Sequence, residues 1–212
     1  MVLSWSRLGV LFICLLPVYS PAALVEMDWV NGSADGLLTR DTVNHLDWLD
    51  VTAVENTTMS RLYNGEGGWV ENGFRFATRD ELRVLFDSAG IVETTFNPVT
   101  ASYWESNSEQ YDEVLALMQL IGYTDEATLG SGQYRAYGFT GDMAGGGDYW
   151  YGHIEVGALN GNHGVLVLAS EGYGDPELSD GLMSNFLVRE VSAVPIPAAV
   201  WLFGSGFIAL MS

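Results

Sequence analysis

The chain contains no lysine: its 8 basic side chains are all arginines, set against 27 aspartates and glutamates. The formal net charge is −19 and the pI about 4.1. Such a field repels phosphate backbones, so no nucleic-acid partner is expected. It also disfavours adsorption to anionic lipid, while favouring solubility and drawing divalent cations or basic partners. Cysteine occurs once, as Cys14, inside an apolar N-terminal run. A chain cut after that run has no thiol, which excludes a disulfide framework, a thiolate metal site and a cysteine nucleophile. The only histidines are His45, His153 and His163. They form no HExxH pair, and neither a nucleophile elbow nor a phosphate-cradling glycine loop is present. No period of about 20–50 residues recurs, which argues against solenoids and propellers.

What is there supports a packed domain. Hydrophobic residues make up 48% of the chain and aromatics 12%, enough to build a core rather than a disordered coil. The first residues carry one positive charge, Arg7; an apolar stretch from Leu8 to Val18 follows, then Ser20-Pro21-Ala22-Ala23. A basic start, a short apolar run and a small-residue exit make a secretory signal, with cleavage expected after Ala22 or Ala23. The run is too short to cross a bilayer, which takes about 20 residues. Residues 1–22 are therefore read as a signal peptide, 23–192 as an extracytoplasmic domain, and 193–212 as a separate tail.

That tail reads VPIPAAVWLFGSGFIALMS from Val194. Pro195 and Pro197 force an extended linker, and the residues after them are apolar. At about 1.5 Å per residue, Ala198–Met211 reaches about 21 Å, short of a hydrocarbon core of roughly 30 Å. The sequence Val194-Pro195-Ile196-Pro197-Ala198 followed by Gly204-Ser205-Gly206 resembles the PEP-CTERM sorting signal in its Val-Pro-x-Pro-Ala variant. That resemblance implies recognition by an exosortase at Val194, Pro195, Ile196 and Pro197. It also implies an exported protein of a Gram-negative bacterium, associated with the inner membrane and then with the cell surface, the exterior or exopolysaccharide. The family's signal ends in a basic cluster, which the sequence does not carry after Met211, so anchoring is expected to be transient.

Between the ends, two helices are legible. Thr78-Arg79-Asp80-Glu81 is a capping box, and Leu82, Leu85, Phe86 and Ala89 give one apolar face closed by Gly90. A second helix is expected over Glu109–Ile121 with Val114, Leu115, Leu117, Met118 and Ile121 on its stripe and Gly122 as its stop, and a short turn over Met59–Tyr63. Strands are expected over Leu24–Val30, Leu46–Thr52, Phe74–Ala77, Tyr134–Thr140, Asp148–Val156, His163–Ala169 and Asn185–Val191. The class is α+β: a mainly antiparallel sheet with two main helices, flanked by an N-terminal signal helix and a C-terminal hydrophobic helix. Leu46-Asp47-Trp48-Leu49-Asp50, then Gly73-Phe74-Arg75-Phe76-Ala77-Thr78 opening the helix, resembles a module of bacterial exported proteins. It is similar, more distantly, to DUF1566-type domains of the C-type-lectin-like group, which close on a Val-Arg strand where this chain has Val188-Arg189.

Candidate chemistry is sparse. Arg75 has Asp47, Asp50 and Glu81 as candidate partners. His153 and Glu155 share one strand face but lack a third metal ligand. Asp142, Asp148, Glu171, Asp175, Glu177 and Asp180 sit in glycine-rich loops where calcium ligands could gather. Three consecutive aromatics, Tyr149, Trp150 and Tyr151, put at least one ring on each face of a strand, where one could stack on a sugar or a partner. The expected role is non-catalytic binding or structure, with no metal or cofactor required. The alternatives are a calcium-dependent lectin-like adhesin and, behind it, a secreted hydrolase using a carboxylate pair.

Overall fold

The computed structural model describes residues 23–99, 102–126, 133–159, 162–178 and 182–191. The expected signal and sorting helices, with Val194 to Pro197, lie outside them. The described residues form an α+β fold that is mostly antiparallel, as expected, but with two sheets rather than one. The first sheet is built from β1 (Leu24–Met27), β2 (Leu38–Asp41), β3 (Leu46–Leu49), β4 (Arg75–Phe76) and, from the far end of the chain, a strand over Leu187–Glu190. Its order is β1, β2, β3, the C-terminal strand, β4, all antiparallel. The three stretches that carry the second resemblance thereby become hydrogen-bonded neighbours. Val188 and Arg189 pair with Trp48 and Asp47, and Leu187 pairs with Phe76.

The second sheet centres on three long strands that follow β5 (Glu105–Ser106) and β6 (Asp125–Glu126): β7 (Tyr134–Gly145), β8 (Asp148–Leu159) and β9 (Asn162–Gly174). β10 (Met183–Asn185) adds the one parallel pair among the described residues, against β7, while β5 borders β9 and β6 pairs with β7. β7 and β8 turn on Gly146 and Gly147, whose φ values are 67° and 101°. Two successive left-handed positions match the twist of a tight hairpin, and glycine takes them without steric cost.

Four sequence-predicted strands are shorter than their apolar runs. Leu46–Thr52 ends at Leu49, before a tight helical turn over Val51–Val54 that Asp50 caps. Phe74–Ala77 is reduced to Arg75–Phe76. Leu24–Val30 ends at Met27, because the Asp35 carboxylate draws in the backbone N–H groups of Trp29 and Val30 and closes a loop. Asn185–Val191 is split at Phe186 into β10 and β11 (Leu187–Glu190). Phe186 is where the chain changes sheets: its N–H donates to Phe139 of the second sheet and its carbonyl accepts from Ala77 beside the first.

Three α-helices lie among the described residues: α1 (Met59–Tyr63), α2 (Arg79–Ser88) and α3 (Tyr111–Ile121). α2 begins with the expected capping box, Thr78 Oγ1 accepting from Glu81 N and Glu81 accepting from Thr78 N. Arg75 resolves its alternatives in favour of Glu81, gripping both carboxylate oxygens at 2.6 and 2.8 Å. α2 and α3 cover the inner face of the second sheet. Leu82, Leu85, Phe86, Leu117 and Met118 meet Ala136, Ile154, Val156, Val165 and Val167, all buried. Each of these side chains larger than Ala136 contributes about 1.5–3 kcal/mol on leaving water, before entropy is counted. A second cluster on the other side of the first sheet joins Leu38, Leu49, Phe74, Phe76, Leu187 and Phe139. Trp48 and Leu49 are thus both buried, on opposite faces of β3.

Candidate binding site

Strand alternation divides the three aromatics of β8. Tyr149 and Tyr151 face the second cluster, where Tyr151 meets the edge of Phe139 at 6.1 Å. Trp150 points the other way, beneath the Arg79 guanidinium at 4.7 Å and against Tyr173 at 5.5 Å. All three are half-buried, and one face of Trp150 is already taken by a cation. They do not form one platform. The hydroxyls of Tyr149 and Tyr151 make no hydrogen bond among the described residues.

The loop carboxylates considered for calcium are dispersed. Asp142 accepts from Arg79 N at 2.6 Å, Asp175 from Glu177 N at 2.9 Å, and Glu177 from Ser60 Oγ at 2.6 Å. Asp180 lies outside the described residues. Among the described residues no three His, Cys, Asp or Glu side chains are placed to hold one ion.

Glu171 belongs instead to a charged cluster on the outer face of the second sheet. His153, buried on β8, has Glu155 Oε2 3.2 Å from Nε2 and Glu171 Oε2 3.0 Å from Nδ1. Both oxygens lie off the ring N–H axes, so these are ion-pair contacts rather than aligned hydrogen bonds. Because the carboxylates sit on opposite ring nitrogens, they do not converge on a point that a metal could occupy. Tyr137 of β7 stacks on the imidazole at 3.9 Å and 22°. Arg135 Nε lies 3.0 Å from Glu155 Oε1, and Asp125 lies 3.5 Å from the same guanidinium. Burial pushes the Tyr137 hydroxyl up, and the charges of Glu171 and Glu155 push it further. Burial also raises Glu155, but His153 and Arg135 overcome it and hold that carboxyl below its ordinary value. Glu155 was legible as a strand neighbour of His153; Glu171 and the stacked Tyr137 were not, because a bulge and a neighbouring strand deliver them.

An open groove of about 1060 Å³ lies at the other edge of the sheet, between the segment after α2 and the start of α3. Its lining is polar: Thr95, Glu105, Ser106, Asn107, Glu109 and Glu113 are among the residues that face it. Among the described residues, only Glu105 of these has a side-chain partner, Gln110 Nε2 at 3.2 Å. Glu93, also in the lining, is paired with Arg83 at 2.9 Å. Phe96 and Tyr103, which alternate with the lining residues Thr95, Asn97 and Trp104, form an exposed ring pair at 5.2 Å. No sequence pattern marked this groove, since it is made of irregular chain closed by the Asn97–Ser102 bridge.

The chain matches no protein-family model, no curated protein and no solved structure.

Proposed function

We propose that this chain is an exported bacterial protein, addressed to the envelope by an exosortase-read tail, whose central domain binds extracellular carbohydrate without catalysis. The tail resemblance at Val194 to Pro197 supports the address. The domain's freedom from cysteine suits an oxidising compartment. The first and last described strands share one sheet, and the fully buried residues of both clusters lie between Leu38 and Val188.

The observation that carries the binding role is the groove beside α3. Hydroxyl, amide and carboxylate groups without side-chain partners among the described residues, with Trp104 in the lining and the Phe96–Tyr103 ring pair exposed on neighbouring residues, are the combination that recognises a sugar. The polar groups match its hydroxyls and the rings stack on its apolar face. The carboxylates, with Arg83 committed to Glu93, favour a neutral or amino sugar over a uronate or sulfate.

Two measurements test the reading separately. Epitope tags on both termini should both be lost from the mature exported protein; an intact, cytosolic chain overturns the address. A glycan array should show binding to neutral or amino-sugar oligomers that Tyr103→Ala weakens by about tenfold, as for the loss of about 1.4 kcal/mol of stacking. Silence across the array overturns the binding role.

A further inference from the structure

His153 stands between two carboxylates that only one of its protonation states can satisfy. An imidazolium has an N–H on each nitrogen and a charge to share with both acids. A neutral imidazole has one N–H and no net charge, so it offers no ion-pair attraction to the two carboxylates that stand about 3 Å from its nitrogens. The site as built suits the charged ring.

The two carboxylates are not equally free to leave. Glu155 is buried, and it is also held by Arg135 Nε at 3.0 Å and Gln133 Nε2 at 3.3 Å. Glu171 keeps 29% of its side-chain exposure, and His153 is its one ion-pair partner among the described residues. It also sits on an irregular stretch of strand. Tyr151 pairs with Gly172 and His153 with Leu168, so Ala169, Ser170 and Glu171 stand opposite Gly152 alone. The start of that bulge is fixed independently, by Ala169 N donating to Glu93 at 2.5 Å. The end rejoins the ladder at Gly172, and Glu171 just before it is tied by its side chain to His153.

We propose that His153 is a protonation-controlled clasp for the β9 bulge. Charged, it holds Glu171 and the chain around it against β8. Neutral, it stays with Glu155 and releases Glu171 to solvent, beside the Tyr137 and Tyr151 rings. The charged and titratable groups around it are Arg135 and Tyr137 on β7, Tyr151 and Glu155 on β8, Glu171 on β9, and Asp125 of β6 through Arg135. With the ring charged, Asp125, Glu155 and Glu171 face two cations; with it neutral, they face Arg135 alone. Burial by itself pulls the imidazole down, but Glu155 and Glu171 outweigh burial and hold it above its ordinary 6.5. Since the folded value is the higher one, the clasp contributes fully below pH 6.5 and is lost as pH rises through the raised value.

The test is NMR on the full chain from about pH 5.5 to 9, the range in which histidine titrates. It follows the His153 ring and the exchange protection factors of Ser170, Glu171 and Gly172. The ring should titrate above 6.5. Protection at those three amides should fall with the same midpoint, by about tenfold for each pH unit that separates this midpoint from 6.5, while Val165 and Val167 keep theirs. In Glu171→Gln the ring midpoint should drop, and the three amides should be poorly protected at every pH. Glu171 is partly exposed, so that variant folds without repacking. A ring midpoint at or below 6.5, protection that is flat across the titration, or wild-type behaviour in Glu171→Gln would overturn the clasp.

Discussion

Asp47 and Arg189 stand opposite each other on β3 and β11, 142 residues apart in sequence, with the guanidinium 3.1 Å from Oδ2. Arg40, on the neighbouring β2, reaches the same carboxylate at 2.7 and 3.1 Å. One buried anion therefore joins three adjacent strands, including the first sheet's link to the end of the domain. Arg189 also lies 4.9 Å over the rings of both Trp29 and Phe74, which fixes the loop after β1 to the same point.

Asp47→Ala should destabilise the domain by removing the shared partner of two guanidiniums. A fully buried pair broken on one side costs roughly 3–5 kcal/mol. Both arginines keep some solvent contact, at 33% and 26% side-chain exposure, so the expected loss is about 2 kcal/mol. Urea unfolding measures it, and a midpoint unchanged from wild type would contradict the role given to Asp47.

Gly152→Ala should destabilise for a steric reason. Gly138 and Gly152 pair across β7 and β8 and leave room for the Phe186 ring. A Cβ at Gly152 would fall on Leu82 and come within 3.2 Å of Phe186. Overpacking of this kind costs about 1–3 kcal/mol. Urea unfolding measures the loss, and a midpoint unchanged from wild type would contradict the clash with Leu82.

Thr78→Ala removes the acceptor for Glu81 N at the start of α2. The loss expected for an N-cap is about 1 kcal/mol. Glu81 is also held by Arg75, so far-UV circular dichroism should show the helix retained while the thermal midpoint falls.

Asp35 should titrate far below an ordinary aspartate. Ser33 Oγ donates to it at 2.6 Å, and the N–H groups of Trp29, Val30 and Leu37 converge on the same carboxylate. Together they bring its pKa from 3.8 to about 2. Because the folded value is the lower one, its contribution is complete above pH 3.8 and lost as pH falls through about 2. A side-chain NMR titration checks the midpoint, and Ser33→Ala should raise it.

Local chemistry was readable in the chain. The capping box at Thr78 and Glu81 needs only four consecutive residues, and α3 follows from the spacing of Val114, Leu117, Met118 and Ile121. The opposed faces of Tyr149, Trp150 and Tyr151 follow from the period of a strand. By contrast, the apolar run Asn185–Val191 gave no sign that Phe186 passes from one sheet to the other. Periodicity reports which face is apolar, not which neighbour covers it.

Charge, the lack of thiols after Cys14, the helices, most of the strands and the two terminal patterns were already set in the sequence, because each depends on composition or on residues close together in the chain. Tertiary structure decided that Asp47 belongs to Arg40 and Arg189, that Glu171 reaches His153, and that residues 92–97 and 104–110 line one groove. Those relationships join residues brought near only by strand order and by a bulge, and strand order is set by packing between distant segments.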